Sequence, residues 1–155
     1  LMDRLASAIP PGAEEALAFI GPAAMDIRQL TMGFGGLLFP IPTSVTNIQR
    51  GHLIRAALEN ICYAIKANLL QLEAISELKT KDIALGGGLI RSQCLVQILP
   101  AVLNMPVLLP PIAEISALGA AICAAAGSGL YSSLEEAMMA MKPNIPRNGW
   151  RPAKC

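Results

Sequence analysis

The segment Asp82-Ile-Ala-Leu-Gly-Gly-Gly88 places a short apolar run directly before three consecutive glycines. Later in the chain, Ser116-Ala-Leu-Gly-Ala-Ala-Ile-Cys-Ala-Ala-Ala126 consists almost wholly of small residues. Because glycine has no Cβ, a glycine loop after a strand lets the backbone approach a ligand closely. The two stretches together predict a nucleotide site that is built mainly from backbone. The glycines match neither GxGxxG nor GxxxxGK[ST], so the loop taken alone also fits an ordinary turn.

The composition indicates one apolar domain. Of the 155 residues, 54% are hydrophobic and 15% are charged, which suggests either a well-buried α/β domain or a surface that another domain normally covers. The net charge of +1 provides no electrostatic footprint for nucleic acid. Prolines and charges interrupt every apolar run before it reaches the length of a membrane-spanning helix, and no signal-peptide pattern is present.

Cysteine and histidine usage argues against a zinc site. The four cysteines, at positions 62, 94, 123 and 155, form no CxxC pair, and three fall in apolar helical patterns. This arrangement favours reduced thiols in the cytoplasm over a disulfide framework or a zinc site. His52 is the only histidine, and we expect it to make a polar contact at a helix start.

Strands and helices alternate from residue 37 onward, which is typical of an α/β fold with a mostly parallel sheet and helices on its faces. Apolar periodicity predicts a long helix from Gly51 and later helices over 92–103, 116–126 and 134–141. Short strands are expected at 37–39, which should be buried, at 82–85 and at 107–109. Short helical stretches are expected before residue 21, the second of them from Ala13 to Phe19.

Several local features carry their own expectations. Arg55 and Glu59 are one helical turn apart and could pair, with a solvated pair of little energetic value as the default. Pro100 should bend its helix or end it early. Asn104 is expected to be a left-handed C-cap, and Ser116 and either Ser132 or Ser133 are expected to be N-caps.

Four segments, in order, resemble the C-terminal lobe of the FGGY carbohydrate kinases. They are Gly36-Leu-Leu-Phe39-Pro40; His52-Leu-Ile-Arg-Ala-Ala-Leu-Glu-Asn-Ile61; the glycine loop with the segment through Gln97 to Val107; and Glu114-Ile-Ser-Ala-Leu-Gly-Ala-Ala121 with Gly127-Ser-Gly-Leu-Tyr131 and Leu134-Glu-Glu-Ala137. The resemblance covers residues 36–142 and implies part of a ribonuclease-H-like, actin-like ATPase lobe. Residues 1–35 are then a separate N-terminal helical segment, and residues 143–155 form a proline-rich tail.

The resemblance implies ATP as the cofactor, with Mg²⁺. In the family, adenosine rests against the glycine loop and the start of the following helix. The corresponding predicted contacts here are Gly86, Gly87, Gly88, Leu89 and Ser92. Free N–H groups at the start of that helix would agree with such a site. Gly119 and Ala120 are expected to pack behind the loop.

The family's N-terminal lobe carries the sugar pocket and the aspartate that acts as general base, and neither can be placed in this sequence. Asp3, Asp26 and Asp82 are candidate bases, but Asp26 lacks the glycine-flanked surroundings of the family's base. No catalytic residue is therefore assigned. The sequence is interpreted as the ATP-binding lobe of a kinase acting on a sugar or polyol, a fragment that is inactive alone.

Two other interpretations remain open. The loop from Pro40 to Arg50 is shorter than in relatives, and Pro100-Ala101 replaces a common Ala-Asp. These departures favour a non-catalytic actin-like module for nucleotide binding or oligomerisation, and a homodimer is kept as an option. A different actin-like ATPase, such as an activator of a dehydratase, would need cluster-ligating cysteines near the loop, which Cys94 alone does not supply.

Overall fold

The computed structural model describes residues 1–20, 35–40, 48–112 and 114–145. Asp26, most of the loop between Pro40 and Arg50 and the end of the proline-rich tail lie outside these residues. The described helices are α1 (Met2–Ser7), α2 (Arg50–Ser76), α3 (Gln93–Leu103), α4 (Ile115–Gly127) and α5 (Leu134–Met141). Short 3-10 helices span Ala13–Glu15 and Gly88–Arg91, and the strands are β1 (Leu17–Phe19), β2 (Gly36–Leu38), β3 (Ile83–Ala84) and β4 (Val107–Leu108).

The strands form one antiparallel and one parallel pair. β1 runs antiparallel to β2, with Leu17 opposite Leu38. β3 runs parallel to β4, with Ile83 opposite Val107. Since α3 connects β3 to β4, these elements form a βαβ unit, and the glycines lie where its first strand ends. The predicted alternation of strand and helix is confirmed in this part of the chain.

The main hydrophobic core lies between α2, α3 and the β3–β4 pair. Its buried members include Cys62 of α2, Leu95 and Leu99 of α3, and Val107 of β4. α2 begins where the Gln49 N–H donates to His52 Nδ1 at 3.0 Å, so the expected helix-start role of His52 is confirmed. Its 27 residues make it the element against which α1, β1 and α3 all pack.

Two expectations for the N-terminal half are wrong. The predicted helical stretch from Ala13 to Phe19 is a short 3-10 helix followed by β1, because Gly12 and the three residues after it take positive φ angles. The strand expected to be buried at residues 37–39 is instead exposed along its length. Among the described residues β2 pairs only with β1, and no second layer covers it.

The later helices follow the sequence more closely. α3 continues through the fully buried Pro100 to Leu103, so the proline does not end it early. Asn104 then takes the left-handed conformation (φ 57°, ψ 38°), as predicted. α5 begins after Ser133, whose Oγ accepts a hydrogen bond from the Glu136 N–H at 3.1 Å, again as predicted. α4 starts at Ile115, so the N-cap position falls on Glu114 rather than on Ser116.

None of the helices in the described part of the chain is both long enough and apolar enough to cross a membrane.

Candidate nucleotide site at the glycine loop

The three glycines between β3 and α3 differ in why they are needed. Gly87 has a φ of +93°, a conformation that side chains disfavour. A Cβ on Gly86 would lie 2.5 Å from Ile115 Cγ1, because the first residue of α4 packs directly on the loop. A Cβ on Gly88 would meet nothing within 4 Å. Backbone conformation and close packing thus explain two of the glycines, and the third lines open space.

The loop leaves backbone donors available. Ile90 N–H donates to the Gly87 carbonyl at 3.3 Å, which closes the turn into the 3-10 helix. Within the described residues, no hydrogen bond engages the N–H groups of Gly86, Gly87 or Gly88. Leu89, the next residue, is 46% exposed. The loop therefore combines backbone donors with an exposed apolar side chain, a surface suited to a ligand that is polar at one end and flat at the other.

The start of α3 does not carry the free N–H groups that the sequence suggested. Asp3 Oδ2 accepts from the Gln93 N–H at 3.0 Å, and Asp3 Oδ1 accepts from the Cys94 N–H at 3.2 Å. Ser92 Oγ donates to Asp3 Oδ1 at 2.5 Å and accepts from the Leu95 N–H at 3.2 Å. That expectation is wrong because a carboxylate from α1 already caps the helix.

These bonds also lower the pKa of Asp3. The hydrogen bond from Ser92 is the largest cause; partial desolvation opposes it, and the N–H groups of Cys94 and Gln93 assist it. The contact between Ser92 and a nucleotide stays a prediction, since its hydroxyl is engaged by Asp3. Spacing alone could suggest Ser92 as an N-cap, but no local signal points to Asp3, which lies 89 residues away.

Gly119 and Ala120 do not pack behind the loop in the described structure. Both are exposed, and a Cβ on Gly119 would meet nothing within 4 Å. Ile115, one turn earlier, makes the contact with Gly86 instead. The small-residue helix therefore reaches the loop through its first residue only.

A second polar cluster joins α2 to the N-terminal segment. Arg55 Nε donates to Glu59 Oε1 at 2.7 Å, and the two side chains are 12% and 7% exposed. Glu59 Oε1 also accepts from the Gly12 N–H at 3.0 Å, and Arg55 Nη1 donates to the Ile9 carbonyl at 3.2 Å. The default of a solvated pair is therefore wrong, because the pair is buried and fastens residues 9–12 onto α2.

Beside this pair, a groove of about 600 Å³ runs between α2 and α3. Tyr63 and Lys66 line one wall, and Gln97 and Ala101 line the other. Lys66 Nζ donates to the Val102 carbonyl at 2.7 Å, which ties the two helices together. Partial desolvation, followed by the nearby charge of Glu59, raises the pKa of Tyr63, although its side chain is half exposed.

The described residues supply no metal site. No three His, Cys, Asp or Glu side chains of this part of the chain converge in a way that could hold an ion. Of the candidate bases in the described part of the chain, Asp3 is engaged at α3 and Asp82 is exposed directly before β3. Among the described residues the glycine loop thus offers backbone donors to a ligand, whereas no cluster of three or more metal-ligating side chains accompanies it.

Comparison with known proteins identifies the family. The family model for the C-terminal domain of the FGGY carbohydrate kinases matches residues 23–128. The chain therefore belongs to the FGGY family of carbohydrate kinases, a family of ATP-dependent enzymes, and the resemblance drawn from the sequence is confirmed. Its α/β fold is a partial domain of the actin-like ATPase type seen in the solved members.

Individual relatives agree with this assignment. Glycerol kinase of Xanthomonas axonopodis is 34% identical over 123 residues, which are 77% of this chain and 23% of the relative. The structure of xylulose kinase from Rhodospirillum rubrum matches 98% of this chain with a TM-score of 0.63 and 26% identity, and 29% of that chain is covered. Glycerol kinase of Plasmodium falciparum, solved with ADP, shares the fold at a TM-score of 0.65 and 15% identity. The chain thus spans about a quarter of the length of such relatives.

Proposed function

We propose that this chain is the nucleotide-binding lobe of a kinase that transfers phosphate from ATP to a hydroxyl of a sugar or polyol. The observation that carries the proposal is the glycine loop, where a strand ends and Gly87 takes a φ of +93°. No hydrogen bond within the described residues engages the three N–H groups of Gly86–Gly88. Glycerol kinase and xylulose kinase are relatives by sequence or fold, and one relative was solved with ADP. The reduced thiols expected from the sequence suit a cytoplasmic enzyme.

In this proposal the chain's contribution is to bind and orient. Backbone N–H groups of Gly86–Gly88 donate to the nucleotide, and Leu89 offers an apolar surface to its flat base. Mg²⁺, when bound, would neutralise charge on the transferred phosphoryl group. The acceptor pocket, the base and the metal ligands are assigned to a lobe beyond these residues, so the chain alone should transfer no phosphate.

The proposal is tested by titrating the 155-residue chain with ADP and following backbone amide resonances. ADP should shift the amides of residues 86–89, and Gly87→Ala should abolish the shifts because the alanine disfavours the required φ. Gly127→Ala is the matched control, since its Cβ also meets nothing and its residue lies at the end of α4. If no amide resonance of the folded chain shifts at millimolar ADP, the chain does not bind nucleotide and the proposal is wrong.

A second candidate is a non-catalytic module for oligomerisation. The exposed apolar surface of α4, which has no buried residue, favours it. Under this alternative the chain would associate with copies of itself, with or without nucleotide. The ADP titration of the amides of residues 86–89 separates the two, because only the kinase lobe requires ADP binding at the loop.

A further inference from the structure

The groove between α2 and α3 is separate from the glycine loop, because none of residues 86–92 lines it. Its volume of about 600 Å³ falls within the range of sites that hold small organic ligands. On α2, Glu59, Tyr63 and Lys66 recur at helical spacing and therefore share the face that forms one wall. Gln97 and Ala101, one turn apart on α3, belong to the other wall.

Hydrogen bonds within the protein hold the charged side chains of the groove in place. Arg55 Nε donates to Glu59 Oε1 at 2.7 Å, and the same oxygen accepts from the Gly12 N–H at 3.0 Å. Lys66 Nζ donates to the Val102 carbonyl at 2.7 Å, across the groove from α2 to α3. A ligand would therefore meet side chains whose conformations are already fixed, which lowers the entropic cost of binding.

The charges that line the groove do not cancel. Arg55 and Glu59 neutralise each other as an ion pair, so the ammonium group of Lys66 is the excess charge among the described lining residues. An ammonium group has three N–H donors, and the Val102 carbonyl accepts one of them. The remaining donors and the single positive charge suit one carboxylate. A doubly charged phosphate would keep one charge uncompensated near the Glu59 carboxylate.

Tyr63 supplies a flat apolar surface three residues before that cation. Its side chain is 51% exposed, and its raised pKa keeps the hydroxyl protonated at neutral pH, so that it can donate a hydrogen bond. Gln97 is exposed on the opposite wall. Within the described residues, neither the Tyr63 hydroxyl nor the Gln97 amide bonds to another protein group. The groove thus combines one cation, one aromatic face and two further polar groups.

We propose that the groove between α2 and α3 binds a small organic monoanion, with its carboxylate at Lys66 and a flat apolar body against Tyr63. Aromatic carboxylates are the chemical class that joins these two features. The Tyr63 hydroxyl and the Gln97 amide then serve any further polar group of the ligand. The site does not depend on the proposed nucleotide binding, since the groove and the glycine loop share no residue.

The test is an amide-resonance titration of the 155-residue chain with four probes at constant ionic strength: benzoate, benzamide, acetate and inorganic phosphate. Benzoate should shift the amides of the residues that line the groove. Benzamide has the same shape without the charge, and acetate has the charge without the ring. Each should therefore bind about tenfold more weakly than benzoate. Inorganic phosphate should leave these amides unshifted at the same concentration.

Ala101→Leu tests the site without removing a hydrogen bond. Ala101 is exposed and leucine favours a helix, so the variant should stay folded while the longer side chain fills the groove and prevents benzoate binding. Ala74→Leu is the matched control, because Ala74 is exposed on α2 outside the groove and should change no titration. Circular dichroism checks that both variants are folded.

Lys66→Met tests the charge. It should weaken benzoate binding about tenfold, as expected for the loss of one charge-assisted hydrogen bond, and leave benzamide binding unchanged. Gly87→Ala, which alters the glycine loop, should leave benzoate binding unchanged. The proposed nucleotide binding can therefore fail without affecting this site.

Three results would overturn the inference. The first is that millimolar benzoate shifts none of the groove amides in the folded chain. The second is that benzamide binds as tightly as benzoate, which would mean that Lys66 does not select for charge. The third is unchanged benzoate binding in folded Ala101→Leu, which would place the ligand elsewhere.

Discussion

At the residue scale, the neighbouring glycines of the loop should respond differently to the same substitution. Gly86→Ala should lower the free energy of unfolding by about 1–3 kcal/mol, because its Cβ would overlap Ile115 Cγ1, an atom of a stiff β-branched side chain. Gly88→Ala should be tolerated, since its Cβ meets open space. Urea denaturation measures both.

Adding Ile115→Ala removes the atom that Gly86→Ala would strike. The double variant should then be less destabilised than the sum of the two single changes. Strict additivity would show that the loop and α4 do not pack against each other as described.

Asp3 should also make stability depend on pH. In the folded chain the hydrogen bond from Ser92 is the main cause that lowers the pKa of Asp3 below its ordinary value of 3.8. Its stabilising contribution is therefore fully present above pH 3.8. The contribution is lost as the pH falls through the folded pKa. Between about pH 5 and pH 2, the unmodified chain should therefore lose more stability than Asp3→Asn.

Thermal melts across that pH range measure the difference between the two proteins. Glu73 and Glu136 also have lowered pKa values, from hydrogen bonds to Thr80 and Ser132, and both proteins share them. Parallel pH profiles for the two proteins would contradict the capping role of Asp3.

The buried pair on α2 is the third residue-scale case. Arg55→Met should cost about 3–5 kcal/mol, because it leaves the Glu59 carboxylate buried without its cation. Lys79→Met is the matched control: Lys79 pairs with Glu73 at 3.1 Å but is 85% exposed, so the midpoint of unfolding should not move. Equal effects of the two changes would mean that the Arg55–Glu59 pair is solvated after all.

At the element scale, two helices end on a residue in the left-handed conformation, but with different residue types. Glu77 ends α2 with a φ of 57°, and Asn104 ends α3 with the same φ. Glutamate is poorly suited to this conformation, whereas asparagine tolerates it. Glu77→Gly should therefore raise the free energy of unfolding by up to about 1 kcal/mol, and Asn104→Gly should change it little.

Glu77→Ala separates an effect of the backbone conformation from an effect of the side-chain charge. It removes the same side chain without relieving the φ strain, so it should not stabilise the chain. Denaturant midpoints compare the three variants. A stabilisation by alanine equal to that by glycine would point to the charge of Glu77 instead of its backbone.

Much of the element pattern was predictable from local signals. The bounds of α5, the cap at Ser133 and the left-handed Asn104 follow from residues adjacent in sequence. The segment from Ala13 to Phe19 was predicted wrongly, because positive φ angles shape its first part and pairing of β1 with β2 decides its second. Strand pairing depends on a distant partner, which periodicity in one segment does not reveal.

At the scale of the whole molecule, the described part of the chain exposes many large apolar side chains to solvent. Exposed apolar side chains occur on both strands of the β1–β2 pair, along α5 and at the end of α2. Apart from Ser116, α4 contains no polar side chain, and none of its residues is buried. Because apolar surface of this extent favours association, the isolated chain should self-associate as its concentration rises.

A charge placed on that surface should oppose self-association. Ala121→Lys, at an exposed position of α4, should weaken association about tenfold, whereas Ala8→Lys, exposed after α1, should leave it unchanged. Sedimentation velocity over a concentration series measures this. Equal association in both variants would place the contact on another apolar surface.

Some features of the candidate site could be predicted from the sequence, and others could not. The glycine loop, the strand before it, the helix after it and the family were all evident from residues close together in sequence, because glycine conformation and apolar periodicity are local properties. The cap that Asp3 places on α3 and the burial of the Arg55–Glu59 pair came only from the tertiary structure. Both depend on α1 and the segment after it folding back onto helices that lie far along the chain, and no local pattern encodes where such distant segments meet.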